Sequence, residues 1–235
     1  MSCRILGITL ARGGSKSVPK KNIKLLSGIP VIAHTILEAL QSNLINRYVV
    51  STDDIEIQEV VRSYGAESPF LRPAELATDS ASSVAALQHA VDWIEKEEGM
   101  QYDYVVELMA TNPMKTVDDI DSCIRKLIDT DADSVIAVHR LDDHHPARIK
   151  KIVNDRIVDF CVNEELESRR QDLKPEAYIR SGSIYALRRN HLMIQGQRYG
   201  SANSRPYILP PERAVNIDSE IDFLIAEQLL KKREK

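Results

Sequence analysis

The sequence predicts an α/β fold in which a mostly parallel central sheet carries a small inserted subdomain. Three observations lead there. Short apolar runs that suit buried strands alternate with stretches of helical period, which calls for parallel strands joined by right-handed crossovers. The first apolar run, Ile5 to Leu10, leads straight into a glycine-rich loop crowded with cations. Between residues 141 and 175 the alternation breaks, giving way to a hairpin pattern and a polar, arginine-rich run from Glu164 to Leu173.

Composition narrows the function classes. With 235 residues the chain can bury one large core, and a net charge of −4 argues against general affinity for nucleic acid. Apolar runs of about six residues fall far short of the roughly twenty needed to span a bilayer, and no signal-peptide core opens the chain, so no membrane partner and a cytoplasmic location are expected. Cys3, Cys123 and Cys161 are too scattered for a disulfide framework or a Cys-x-x-Cys metal site.

In chain order, Ile5 to Leu10 reads as a strand, and Gly13 and Gly14 let the following backbone approach a ligand. Arg12, Lys16, Lys20 and Lys21 concentrate positive charge in ten residues of a slightly acidic protein, which points to an anion such as phosphate. The spacing is neither that of a Walker loop nor Gly-x-Gly-x-x-Gly. Val31, Ile32, Thr35, Ile36 and Ala39 form a helical stripe after Pro30. Arg47 to Asp54 is a second strand with Asp53 at its end, open to metal, ribose or a helix cap, and Ile55 to Tyr64 is the next helix. Leu71 to Ser83 lacks any period and reads as an exposed loop that either caps a helix or lets Arg72 meet a nucleobase edge. A helix then runs from Ser82 or Ser83 to Glu98 with Val84, Leu87, Val91 and Ile94 on one face. Tyr104 to Leu108 is the third strand. Thr116 to Asp119 forms a capping box for a helix ending at Asp129, and Ser134 to Val138 is the fourth strand.

Beyond it, Ile149 to Val158 reads as a hairpin turning at Asn154 and Asp155. The adjacent His144 and His145 make a poor metal pair. Tyr178 to Tyr185 returns to a strand, with Gly182 at a bulge or close approach. Ser201 to Arg213 is expected to be a proline-punctuated loop, Ala214 to Asp218 a short strand, and Ile221, Leu224, Ile225 and Leu229 the buried face of a final helix opened by Ser219 and Asp222. Asp218 at that strand end suits Mg²⁺, a hard ion that takes carboxylate together with phosphate oxygens, or else caps the helix.

Several of these segments, in order, resemble the CMP-sialic acid synthetases, cytidylyltransferases that activate nonulosonic acids such as N-acetylneuraminic, legionaminic and pseudaminic acid. The resemblance spans nearly the whole chain. It is carried by Leu10 to Lys16 (Leu-Ala-Arg-Gly-Gly-Ser-Lys) with Lys21 and Asn22, and by Leu71 to Ser83 (Leu-Arg-Pro-Ala-Glu-Leu-Ala-Thr-Asp-Ser-Ala-Ser-Ser). Ala110 to Lys115, Arg170-Gln171, Ser181 to Tyr185 and Asn216 to Asp222 follow. It implies a Rossmann-like sheet of the nucleotidyltransferase type formed by residues 1–140 and 176–235, with 141–175 as an inserted dimerisation subdomain. It also implies that CTP and a 2-keto acid sugar give CMP-sugar and pyrophosphate, the sugar's anomeric hydroxyl attacking the α-phosphorus in line.

The resemblance assigns residues as well. Arg12, Ser15 and Lys21 hold the triphosphate, Lys21 near the α-phosphate, and Asn22 contacts the nucleotide. Arg72, the backbone around Ala81 and the Ser83 hydroxyl read cytosine. Met109, Thr111 and Ser181 face the sugar, with Arg148 and Arg170 reaching it from the neighbouring subunit of a homodimer. Arg12, Lys21 and Asp218 are the catalytic candidates, and Asp218 with Asn216 is the Mg²⁺ site. There are two departures from the family pattern: Asn216 replaces an aspartate, and Met109 with Ala110 replaces glutamine and proline. Methionine offers a flexible apolar surface where glutamine offers a donor and an acceptor, which points away from N-acetylneuraminic acid and toward legionaminic ahead of pseudaminic acid, unless Asn112 or Ser181 supplies the polar contact. The competing functions are a CMP-Kdo synthetase and a CTP-binding regulator without catalysis.

Overall fold

Six strands make the central sheet of the computed structural model, which describes residues 3–15, 18–141, 144–162 and 169–233. Lys16 and residues 164–168 of the polar run lie outside the described residues. The chain opens with β1 (Ile5–Leu10), makes a two-residue pairing of β2 (Leu25–Leu26) with β3 (Ile29–Pro30), and enters α1 (Val31–Leu40). Next come β4 (Arg47–Ser51), α2 (Ile55–Ser63), α3 (Ser83–Glu98), β5 (Tyr104–Leu108), α4 (Val117–Asp129) and β6 (Ser134–Arg140). A hairpin of β7 (Lys150–Val153) and β8 (Arg156–Asp159) precedes β9 (Tyr178–Arg188), the short α5 (Arg189–Met193), β10 (Ser204–Ile208) and α6 (Glu220–Arg233).

Local chemistry accounts for most of these boundaries. Asp54 caps α2 by accepting from the amides of Glu56 and Ile57, and Ser82 caps α3 through the amide of Ala85. Thr116 and Asp119 form the reciprocal capping box of α4. The β7–β8 turn puts Asn154 at φ 51° and Asp155 at φ 59°, the left-handed pair that a tight two-residue hairpin requires.

The sheet runs in the order β10-β6-β9-β5-β1-β4. β1 is parallel to β4 and β5, β10 is parallel to β6, and β9 lies antiparallel between β5 and β6. Gly182, at φ +60°, sits where the β6–β9 register shifts, the bulge expected of it. One sheet face is covered by Ile32, Ile36, Ile57, Ile120, Ile124 and Leu127 of α1, α2 and α4. The other is covered by Leu87, Val91 and Ile94 of α3 with Leu192 of α5. Among the described residues no helix is long and apolar enough to cross a membrane.

Three expectations are corrected. The supposed loop from Ser201 to Arg213 contains the strand β10, with Pro206 in its middle. Proline is tolerated there because β10 is an edge strand, where a missing amide need not break a ladder. The supposed strand from Ala214 to Asp218 is unpaired chain, held by Ile217, whose amide donates to the Thr111 carbonyl at 2.8 Å and whose side chain packs with Leu26, Val31, Met114 and Phe223. In α6 the buried residues are Phe223, Ala226 and Leu230, while Ile221 and Leu224 of the expected face are 68% and 61% exposed. The helix carries apolar residues on more than one side, so periodicity alone does not select the face that docks.

Candidate active site

The carboxyl ends of β1 and β5 open onto a cleft of about 470 Å³, where ligands of parallel sheets are expected. Arg12, Ser15, Lys21, Asn22, Arg72, Ala81, Ser83, Met109, Thr111 and Asp218 all line it, although they come from four separate stretches of chain. Asn216 stands one step behind. Its side-chain oxygen accepts from the Thr111 hydroxyl at 2.6 Å and its nitrogen donates to Asp218, which holds Asp218 toward the cleft. Ser181 is buried away from the lining and gives its hydroxyl to the Ala137 carbonyl at 2.9 Å. Arg148, exposed at the end of the 3₁₀ turn Pro146–Arg148, does not line the cleft, and Arg170 begins a second short turn, Arg170–Asp172, whose first side chain lies outside the description.

The glycine-rich loop is anchored before any ligand arrives. The Gly13 amide donates to Asp53 at 3.2 Å and the Asn22 side chain donates to the Arg12 carbonyl at 2.9 Å. A Cβ on Gly13 would lie 2.4 Å from Asp54, so that glycine is required by the α2 cap; Gly14 has open space around it. Asp53 therefore neither caps a helix nor stands free, but ties the loop to Arg72, 3.5 Å away. Lys21 bridges the ends of the molecule: its ammonium donates to the Ile217 carbonyl at 2.7 Å and to Asp218 at 3.3 Å. Arg12 pairs with Asp79 at 2.8 Å across the cleft mouth.

Arg72 belongs to the segment read as an exposed loop, yet it is buried, because its amide joins the end of β4 by donating to the Thr52 carbonyl at 2.7 Å. Its Nε has no hydrogen-bond partner among the described residues. Burial lowers the guanidinium's pKa; Asp53 opposes that and Arg12, of like charge, adds to it. A buried planar donor left incomplete beside a second cation favours an acceptor-rich ligand such as a nucleobase carbonyl or phosphate.

Residues 6–231 match the family model described as cytidylyltransferase. The chain belongs to the cytidylyltransferase family. It is 33% identical to the pseudaminic acid cytidylyltransferase of Campylobacter jejuni (serotype O:23/36) over 96% of this chain and 96% of that protein. It is 31% identical to the CMP-N,N'-diacetyllegionaminic acid synthase of Legionella pneumophila, over 97% of this chain and 96% of that one. In fold it is similar to a CMP:2-keto-3-deoxy-manno-octonic acid synthetase complexed with CTP, with a TM-score of 0.71 and 20% identity, covering 98% of this chain and 99% of that one.

Two buried charges of this cytidylyltransferase were not singled out by sequence reasoning. Lys115 is 0% exposed and donates to the Thr35 hydroxyl at 2.7 Å, to the Met109 carbonyl at 2.8 Å and to the Asn112 carbonyl. Burial brings its pKa down to about 7, with Glu38 and Asp119 pulling the other way. It thereby cinches residues 109–115, the loop that brings Met109 and Thr111 to the cleft. The Asn112 side chain is likewise engaged, accepting from the Lys115 amide within the loop and donating to the Arg213 carbonyl outside it. Glu107, buried on β5, pairs with Arg198 and lines the cleft; burial raises its pKa, and Arg198 draws it partly back. An acidic residue inside Val-Val-Glu-Leu, a run otherwise fit for a core strand, was the available signal for Glu107.

The donor set suits the Mg²⁺ that the family resemblance implies. Asp218 presents a largely exposed carboxylate at the cleft, and Mg²⁺ is commonly held by one or two carboxylates together with substrate phosphates and water. Among the described residues no group of three His, Cys, Asp or Glu could cage a metal by itself. His145 is occupied elsewhere: its Nε2 lies 2.8 Å from the Pro175 carbonyl and its Nδ1 accepts from the Ala147 amide.

Proposed function

We propose that this cytidylyltransferase transfers CMP from CTP to a nonulosonic acid, releasing pyrophosphate. The observation that carries the reading is the convergence of Arg12, Ser15, Lys21, Asn22 and Arg72 with residues 81–83 in one cleft beside Met109 and Asp218. The sugar's anomeric hydroxyl attacks the α-phosphorus as the bond to the pyrophosphate oxygen breaks, so negative charge moves onto the leaving group and the hydroxyl proton passes to solvent water. The protein's task is positioning and charge neutralisation.

In this reading Arg12 exchanges Asp79 for phosphate oxygens, and Lys21, held by the Ile217 carbonyl, sits at the α-phosphate. Arg72 completes its hydrogen bonding on cytosine, with the Ala81 backbone and the Ser83 hydroxyl. Asp218, steadied by Asn216, holds Mg²⁺, which when bound neutralises part of the triphosphate charge. Met109 and Thr111 border the sugar. A homodimer in which Arg148 and Arg170 reach the partner's sugar is supported by the apolar side of the β7–β8 hairpin, where the paired Ile152 and Ile157 are 78% and 76% exposed.

Pyrophosphate release measured with CTP against a panel of 2-keto acid sugars tests the reading. Di-N-acetyl-legionaminic acid is the first sugar to try, with pseudaminic, N-acetylneuraminic and Kdo beside it. Turnover with a nonulosonic acid ahead of Kdo is the expected result. Calorimetric CTP binding without turnover on any sugar would make the chain a nucleotide-binding regulator.

A further inference from the structure

Beside Met109 the cleft wall holds a charge that the proposed chemistry does not use. Glu107 is 0% exposed, between Val106 and Leu108, which are equally buried. Its Oε2 accepts from Arg198, while its Oε1 has no partner among the described residues. Arg198 is itself stacked over Tyr185 at 4.6 Å, so the carboxylate is held from behind. Arg198 also lines a second depression with Tyr199 and Gly196 that meets the first at Ser82 and Ser83. Ser183 adds a second incomplete group. Its Oγ is buried with no partner among the described residues, and because Glu107 pairs with Tyr185 and side chains alternate, Ser183 falls on the same sheet face.

An ion pair this deep is no aid to stability, since apolar residues of similar volume commonly do as well or better there. An acceptor oxygen left unbonded makes the position costlier still. Sheet order says which part of the substrate it faces. Arg72 is attached at the end of β4, the glycine-rich loop follows β1, and Glu107 lies on β5, next to β9. Passing from the base reader across the phosphate loop leads to Glu107 on the acceptor side. There the alternative polar groups, Asn112 and Ser181, are already engaged.

We propose that Glu107 is a substrate-contacting specificity residue whose Oε1 accepts a hydrogen bond from an N–H or O–H substituent of the sugar acid, with Arg198 offsetting its charge beside an anionic substrate. The inference rests on the cytidylyltransferase reading given above. The acceptor answers, two residues away, for the hydrogen bonding that methionine cannot supply at position 109.

The test uses the full chain as Glu107→Gln, which keeps an acceptor oxygen, and as a Glu107→Leu/Arg198→Leu double variant, which leaves no buried charge unpaired. Sugar kcat/KM at saturating CTP, KM for CTP and calorimetric CTP affinity are measured for each. The double variant should lose about ten- to a hundredfold in sugar kcat/KM, mostly through KM, with CTP affinity within twofold and partial recovery in Glu107→Gln. Unchanged sugar kinetics in a folded double variant overturn the proposal, and so does a loss confined to CTP binding. Should the double variant fail to fold, sugar analogues lacking single N-acyl or hydroxyl groups are compared between wild type and Glu107→Gln. One analogue should then lose about tenfold less in the variant than in wild type, and equal losses throughout overturn the proposal. A wild type silent with every sugar removes the functional reading itself; an active wild type with an indifferent variant removes only the role of Glu107.

Discussion

Replacing Lys115 by methionine separates a buried charge from the loop it holds, and pH sets the size of the effect. The ammonium is fully buried and its pKa falls to about 7, whereas a lysine in the unfolded chain titrates near 10.4. The unfolded state therefore binds more protons than the folded state between those two values, and stability gained from relieving the buried charge rises with pH across that window. Below about pH 7 both states are protonated and the full cost of burial is present. Each pH unit above it is worth at most about 1.4 kcal/mol, so from pH 7 to 9 the wild type should gain up to about 3 kcal/mol relative to Lys115→Met. With an m-value near 3 kcal/mol/M, the wild-type urea midpoint should move by up to about 1 M relative to the variant's. Urea titrations of both proteins at half-unit steps from pH 6 to 9.5 give the comparison. Stability curves that stay parallel would refute the reasoning. At pH 6, Lys115→Met should also raise KM for the sugar, because the Met109 and Asn112 carbonyls lose the group that fixes their loop.

Further outcomes follow from the cleft. Lys21→Ala should lower kcat by about 10² to 10³, as removal of other transition-state electrostatic groups does, whereas Arg72→Ala should chiefly raise KM for CTP by about ten- to a hundredfold; steady-state kinetics with CTP and UTP separate the two effects, and a preference for UTP would count against base reading by Arg72. Asp218→Asn should lose most activity with only partial recovery in excess Mg²⁺, and wild-type turnover that persists in EDTA would dismiss the metal assignment. Mixing inactive Arg170→Ala with inactive Lys21→Ala should restore part of the activity if sites are completed across a dimer; no recovery after demonstrated subunit exchange, or a monomer at micromolar concentration, would argue against that arrangement.

Much of the fold was legible in the sequence because it is written locally. The apolar run of β1, the stripes of α1 and α3, the capping box at Thr116 and the Asn154-Asp155 turn depend on neighbours a few residues away, and the structure has each of them. The glycine-rich loop and the Arg72 to Ser83 stretch were legible for a different reason. Their side-chain types are hard to account for by packing alone, and their order along the chain matches that of a known family.

What the sequence did not determine depends on partners far along the chain. Whether β9 runs antiparallel, and whether a proline-bearing segment becomes the edge strand β10, is decided by pairing with β6, not by propensity. The docking face of α6 was ambiguous because several of its sides are apolar, and only the pocket formed by Leu26, Val31 and Met114 selects Phe223 over Leu224. The cleft shows the same division. Composition and motif named Lys21 and Asp218, but their meeting joins residues 197 positions apart. Lys115 gave no signal as a functional candidate because a lone charge in a sequence reads as surface, and Glu107 showed only as an acid within an apolar strand. Tertiary structure alone buried them, by setting Thr35 against one across 80 residues and Arg198 against the other across 91. The sequence by itself therefore determined most of the elements and the charged and hydroxyl residue types that line the cleft, which are properties of short stretches. Only the tertiary structure decided which charges lost their water, since desolvation is a property of what packs around a group and not of the group itself.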